Sequence, residues 1–146
     1  MADHKIHAEI VTPYEVFFDD MVDMVIISSK EGEIGIQPGH TPMMAALTPG
    51  EIRLKIDDRT LVASGTNGYA EVGRDMAIIV VNAAEWAEDI DLIRAEKALA
   101  RADKRFHDPE TDPQERNHAR HGIERAKARI KIAKKYQDNS YSGSSF

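Results

Sequence analysis

Residues 75–102 read DMAIIVVNAAEWAEDIDLIRAEKALARA, and the hydrophobic period changes inside them. Met76 to Val81 form a short apolar run bounded by Asp75 and Asn82, the composition of a strand. Beyond Asn82, Leu92, Ala95, Leu99, Ala102 and Phe106 recur at alternating steps of three and four. That spacing lays one apolar stripe along a helix. Neither glycine nor proline interrupts residues 83–102. The chain therefore divides into a β segment, 1–86, and an α segment, 87–136.

Upstream, Lys5 to Val11 alternates, with Ile6, Ala8 and Ile10 on one face and Lys5, His7 and Glu9 on the other, as in a half-buried strand. The runs MVDMVIIS, EIGIQ, EIRLKI, TLVASG and GYAEV follow, separated by turn residues at Lys30-Glu31-Gly32, Pro38-Gly39, Pro49-Gly50, Asp57-Asp58 and Gly73-Arg74-Asp75. Many short strands at this spacing predict an N-terminal antiparallel β-sandwich. Met24 to Ile27 and Met76 to Val81 are apolar on both faces, so each is either a central strand or one whose outer face a partner covers.

Downstream, HDPETDP (107–113) breaks the first helix, and a second stripe follows at Ala119, Ile123, Ala126, Ile130 and Ala133. A short linker between two stripes predicts a C-terminal antiparallel two-helix hairpin. Its alanine-rich seam buries little area, at about 25 cal/mol per Å², so it should be marginal alone. Gly122 costs the second helix about 1 kcal/mol relative to alanine. The serine- and glycine-containing end, 137–146, predicts a disordered tail.

The net charge of -6 is uneven: residues 1–86 hold 14 acids against 6 Lys/Arg, 87–112 hold 8 against 5, and 113–146 hold 3 against 8. An acidic body with a basic last segment suggests different partners at the two ends. The acidic balance, and a basic helix without interleaved aromatics, argue against nucleic acid. No apolar run approaches a membrane span, and MADHKIHAEIV lacks a signal peptide's apolar region, so no membrane insertion and a cytoplasmic location are expected. Zero cysteines exclude disulfides and thiol chemistry.

Neither G-x-x-x-x-G-K-[ST] nor G-x-G-x-x-G occurs, so no phosphate cradle of those types exists. The serines form no nucleophile elbow. Six histidines include the close pairs His4/His7 and His118/His121. Metal ligation needs convergent ligands, usually three or more, and spacing alone supplies none, so these four read as surface histidines. His40, between prolines in QPGHTP, reads as a rigid turn residue presented outward, a plausible contact point.

Glu88, Asp89 and Asp91 suit a helix N-terminus, and Arg101, Lys104 and Arg105 its C-terminal end. Capping leaves Arg94, three residues after Asp91, and the one-turn pair Arg125 and Arg129 unexplained. A carboxylate with three arginines has the chemistry to hold a nucleotide's base and phosphates. The second helix also carries Arg116, Arg120, Lys127, Lys131 and Lys134, a cationic side suited to an acidic protein surface.

EIVTPYEVFFDDMVDMVIIS, EGEIGIQPGHTPMMAALTPGEIRL, ASGTNGYAEV and AAEWAEDIDLIRAEKALARA together resemble the epsilon subunit of F-type ATP synthases, called delta in mitochondria. The likeness runs from Ile6 to about Lys135, and the G-E-I-G-I-x-P-G-H-x-P-M run is highly specific. It implies a β-sandwich with a helical hairpin, and a non-catalytic rotor subunit on the cytoplasmic face of a bacterial plasma membrane. The sandwich would bind the gamma subunit and the c-subunit ring, the ring facing Glu33 and His40. The hairpin would act as a movable brake on ATP hydrolysis. Extended, it would meet the alpha and beta subunits of the catalytic head through Arg116, Arg120, Lys127, Lys131 and Lys134. No cofactor is required. Some relatives bind ATP as a regulatory ligand through I-D-x-x-R-A, here Ile90-Asp91-Leu92-Ile93-Arg94-Ala95, with arginines matching Arg125 and Arg129; Glu85 also falls on a family contact position. The alternative is a free-standing adaptor for acidic proteins, with a histidine-metal enzyme third.

Overall fold

The computed structural model describes residues 4–144, with side chains described for 4–137. Two compact units result, Met1–Trp86 and Ala87–Phe146. The first holds β1 (Ile6–Val11), β2 (Val16–Val22), β3 (Met24–Ser29), β4 (Gly32–Ile36), β5 (Met43–Leu47), β6 (Gly50–Ile56), β7 (Arg59–Gly65), β8 (Gly68–Val72), β9 (Met76–Val81) and β10 (Ala84–Trp86). The second holds a 3-10 turn, Ala87–Asp89, then α1 (Leu92–His107) and α2 (Pro113–Ser144).

The strands run β10-β7-β6-β3-β5-β8-β9-β1-β2, with β4 paired to β3 off this path. A single bridge, Ser29 to Leu47, joins β3 to β5, and there the path folds into two layers. Residues from both layers fill one core, with Val25, Ile27 and Leu54 facing Ile6, Ile10 and Ile79, all fully buried. Each contributes roughly 1.5–3 kcal/mol through burial. One pairing corrects the antiparallel expectation: β1 runs parallel to β9, from His7 opposite Met76 to Val11 opposite Val80. Every other pairing among the described residues is antiparallel. The exception arises because β1 sits between β2 and β9, whose connection to it spans most of the sandwich.

The run MVDMVIIS is two strands, because Asp23 turns the chain from β2 into β3. Its amide donates to Lys55 O at 2.8 Å, its Oδ2 accepts the Asp57 amide at 2.6 Å, and its Oδ1 accepts from Lys5 Nζ at 3.2 Å. Asp57 itself has φ 55° in the β6–β7 turn, a conformation that aspartate tolerates better than most residues. MMAAL forms β5, although methionine and alanine are weak strand formers; its pairing with β8 over Met43–Leu47 decides the matter. Gly68 is required where β8 meets β9, since a Cβ there would lie 1.9 Å from Val80 O. Trp86 packs on Phe17, ring centroids 4.6 Å apart, and edge-on to Phe18.

In the second unit, Ala95, Ala119, Ala126 and Ala133 are buried along the expected seam, together with Ile132. Gly122 lies beside Ala102, where an added Cβ would sit 3.4 Å from the alanine methyl. The tail expectation is corrected for residues 137–144: α2 continues through Ser144. Adding residues to an existing helix is far easier than nucleating one. Gln137 Nε2 also donates to Ala87 O and Ile90 O at 3.1 and 2.8 Å. Residues 145–146 lie outside the described residues. No helix of the described residues is long and apolar enough to cross a membrane.

The Asp57 amide, then the Lys5 ammonium, hold the Asp23 carboxyl below its ordinary pKa of 3.8. A depressed carboxyl stabilises the fold above its unfolded pKa, and the contribution is lost as pH falls through the folded value. Asp23→Ala should therefore lower Tm at pH 7, and the gap from the parent should narrow below the ordinary carboxylate range. Thermal melts at pH 7 and pH 3 check this.

Candidate functional site

In the helical unit, Asp91, Arg94, Lys97 and Arg101 run along α1 from its N-cap. Asp91 is the N-cap of α1, with φ -82° and ψ 99°, and its Oδ1 accepts the Arg94 amide at 3.0 Å. This revises the division of roles read from the sequence. Glu88 and Asp89 belong to the preceding 3-10 turn, and the carboxylate that starts the helix is Asp91. Ile90, the residue before it, is buried.

Capping orients Asp91 without removing it from the surface. Asp91, Ile93, Arg94, Lys97 and Arg101 line an open cleft of about 420 Å³, inside the roughly 300–1,000 Å³ of small-molecule sites. Lys97 and Arg101 are additions that the sequence reading lacks. They lie three and seven residues after Arg94, so helical spacing alone puts them on its face. A second cleft lies between the helices, lined by Ala98, Arg101, Ala102, Arg105, His118, Ala119, Gly122 and Arg125. Arg101 belongs to both clefts, which links Asp91 and Arg94 to Arg125. Arg129, half-buried on α2, is not among the residues lining either.

The α2 cations separate into two flanks of the apolar seam. Arg125 and Arg129 fall on one flank; Arg116, Arg120, Lys127, Lys131 and Lys134 follow steps of three and four along the other, with Glu124 between. Lys127, Lys131 and Lys134 are exposed. Arg120 Nη2 donates to Asn117 Oδ1 at 2.7 Å. Arg116 is engaged within the hairpin, since its Nη2 donates to Asp108 O and Thr111 O, each at 3.0 Å, and so braces the interhelical linker.

In the sandwich unit, Glu85 lies on β10 opposite Ser64 of β7. Glu33, on β4, accepts from Arg53 Nη1 at 2.8 Å, and Glu51 accepts from the same nitrogen at 3.0 Å. The Glu33 bond and, after it, the Glu51 bond raise the Arg53 pKa above its ordinary value. His40 follows Gly39, whose φ of 86° requires glycine and whose amide donates to Arg74 O at 2.6 Å. The imidazole is half-buried rather than projecting. Its Nδ1 lies 2.7 Å from Thr41 O; a carbonyl only accepts, so Nδ1 carries the proton and the ring is drawn back along its own loop.

Asp91→Ala should lower the stability of the helical unit by roughly 1 kcal/mol, and Asp91→Asn by much less, because asparagine also caps. Chemical denaturation of the full chain, followed by helical ellipticity, measures both.

Residues 5–87 match the family described as ATP synthase, Delta/Epsilon chain, beta-sandwich domain, and residues 88–134 match the corresponding long alpha-helix domain. The chain is 40% identical over 131 residues to the ATP synthase epsilon chain of Syntrophobacter fumaroxidans, covering 90% of this chain and 97% of that one. It is 36% identical over 137 residues to the epsilon chain of Caldanaerobacter subterraneus subsp. tengcongensis, covering 93% and 99%. Its fold is similar to a chain in the Euglena gracilis mitochondrial ATP synthase structure, with a TM-score of 0.76 at 23% identity, covering 86% of this chain and 79% of that chain. Both segments thus match in order and nearly end to end, and the chain belongs to the ATP synthase delta/epsilon family as an epsilon chain, a non-catalytic subunit of that complex.

Proposed function

We propose that the chain is a central-stalk rotor subunit of an F-type ATP synthase, coupling proton translocation to ATP synthesis and hydrolysis. Its hairpin restrains hydrolysis under the control of ATP. The observation that carries the regulatory part is the convergence of Asp91, Arg94, Lys97 and Arg101 on one cleft, with Arg125 joined to it through Arg101. A carboxylate accepts the exocyclic amine of adenine, and guanidinium groups take phosphate oxygens in paired bonds. Ile90 and Arg129 complete the proposed nucleotide set of the helical unit. ATP shifts the hairpin only by its differential affinity for one of two hairpin states.

The outer face of β5, β8, β9 and β1 supports a gamma-subunit contact. Register places Ala46, Tyr69, Val80 and Val11 in one row across these strands, and Met44 and Tyr69 are exposed at 64% and 46%. An apolar row of this kind fits a protein partner. Glu33, fixed by Arg53, and His40 form the contact with the c-subunit ring. Arg120, Lys127, Lys131 and Lys134 meet acidic segments of the alpha and beta subunits, and Arg116 joins them only at its exposed edge. The complex would hold the chain peripherally on the cytoplasmic face of a bacterial plasma membrane.

Calorimetric titration of the full chain with ATP should show saturable binding, weakened at least about tenfold in Arg94→Ala or Arg125→Ala, as for loss of a charge-assisted bond. Equal binding by parent and variants would remove the site. In the assembled complex, deleting residues 87–146 should leave the sandwich incorporated and raise ATP hydrolysis; unchanged hydrolysis by a complex that contains the truncated chain would sink the brake.

A further inference from the structure

In the sequence His7 is a surface histidine, because spacing supplies no convergent ligands; strand pairing supplies them. His7 and Glu9 are two apart on β1, so they share its outer face. Asp19 of β2 lies directly opposite Glu9, and Met21 opposite His7. Asp19 is therefore the diagonal neighbour of His7 on the same face. The ligand atoms of all three lie within 4.8 Å of one another. His7 Nε2 is 2.5 Å from Asp19 Oδ1 and 4.0 Å from Glu9 Oε1. One nitrogen faces both carboxylates.

We propose that His7, Glu9 and Asp19 bind a divalent transition-metal ion of the zinc class. Ligands at about 2.0–2.1 Å in a tetrahedral site stand about 3.3 Å apart. Reaching that spacing opens the His7–Asp19 distance and closes the His7–Glu9 distance, each by less than about 1 Å, within the reach of small side-chain rotations. Imidazole among the ligands favours zinc, copper or nickel over calcium and magnesium, which prefer oxygen alone.

Charge points the same way. Among the described residues, Glu9 and Asp19 have no cationic partner except His7, and Asp20 adds further negative charge beside the imidazole. Two carboxylates around one imidazole leave a negative site whether or not the ring is protonated. A divalent ion neutralises it. The backbone is preset, because β1 is paired on both sides, to β2 and to β9; sites on strands hold ligands better than sites on loops. The ion would clip β2, the last strand of the sheet path, to β1, and leave a coordination position for water.

The test uses the full chain stripped with EDTA and dialysed into metal-free buffer, titrated with zinc chloride by calorimetry and with cobalt(II) by visible absorption. The expected result is one ion per chain, with a dissociation constant of about 10 μM or tighter and a zinc-dependent rise in Tm. His7→Gln, Glu9→Gln and Asp19→Asn, checked for native circular dichroism, should each weaken binding at least about tenfold. A His118→Gln/His121→Gln double variant should bind like the parent. No saturable binding by the parent, undiminished binding by the three variants, or loss of binding in the double variant would each overturn the assignment.

Discussion

Strand β1 is the constraint on which the sandwich depends. It lies between an antiparallel neighbour and a parallel one, and Ile6, Ala8 and Ile10 point from it into the core with no exposed area. A one-residue slip along β9 would exchange those three for His7, Glu9 and Val11. Such a slip would bury an imidazole and a carboxylate, at several kcal/mol each without partners. Register is thereby fixed by chemistry rather than by a turn, which suits a strand whose parallel partner is distant in sequence. The Lys5 ammonium bonds Asp23 and Asp57 at one end of β1, and Thr12 accepts the Tyr14 and Glu15 amides at the other.

The helical unit obeys a different rule. Among the described residues, the buried positions of its seam are four alanines and Ile132, with Gly122 beside Ala102, so close approach counts for more than large apolar area. Ends matter more under those conditions. Asp91 caps α1, Asp112 caps α2 by accepting the Glu115 amide at 2.8 Å, and Pro113 occupies the first helical position, where its missing N–H costs nothing. Arg116 braces the linker between them. Few of these bonds are buried, so the unit is held by many small terms and none that dominates.

Periodicity made both units legible, including the seam alanines Ala95, Ala119, Ala126 and Ala133, whereas Ile132, buried with them, lies off the expected stripe. What stayed hidden depended on contacts distant in sequence. MMAAL carries no strand propensity and becomes β5 through β8. MVDMVIIS reads as continuous until Asp57 and Lys5 arrive to bend it at Asp23. Parallel pairing of β1 with β9 leaves no local mark at all. In the candidate site, Asp91 and Arg94 were visible from spacing, and so in principle were Lys97 and Arg101, which obey the same helical rule. Arg116 looks like a free cation in the sequence because its acceptors are carbonyl oxygens, which a sequence does not display.

Arg101 serves two clefts with one guanidinium. A side chain turned toward the Asp91 cleft withdraws its charge from the interhelical one, and the reverse is equally true. One side chain thus sets the charge of both clefts, so any change at Arg101 alters the Asp91 cleft and the interhelical one together.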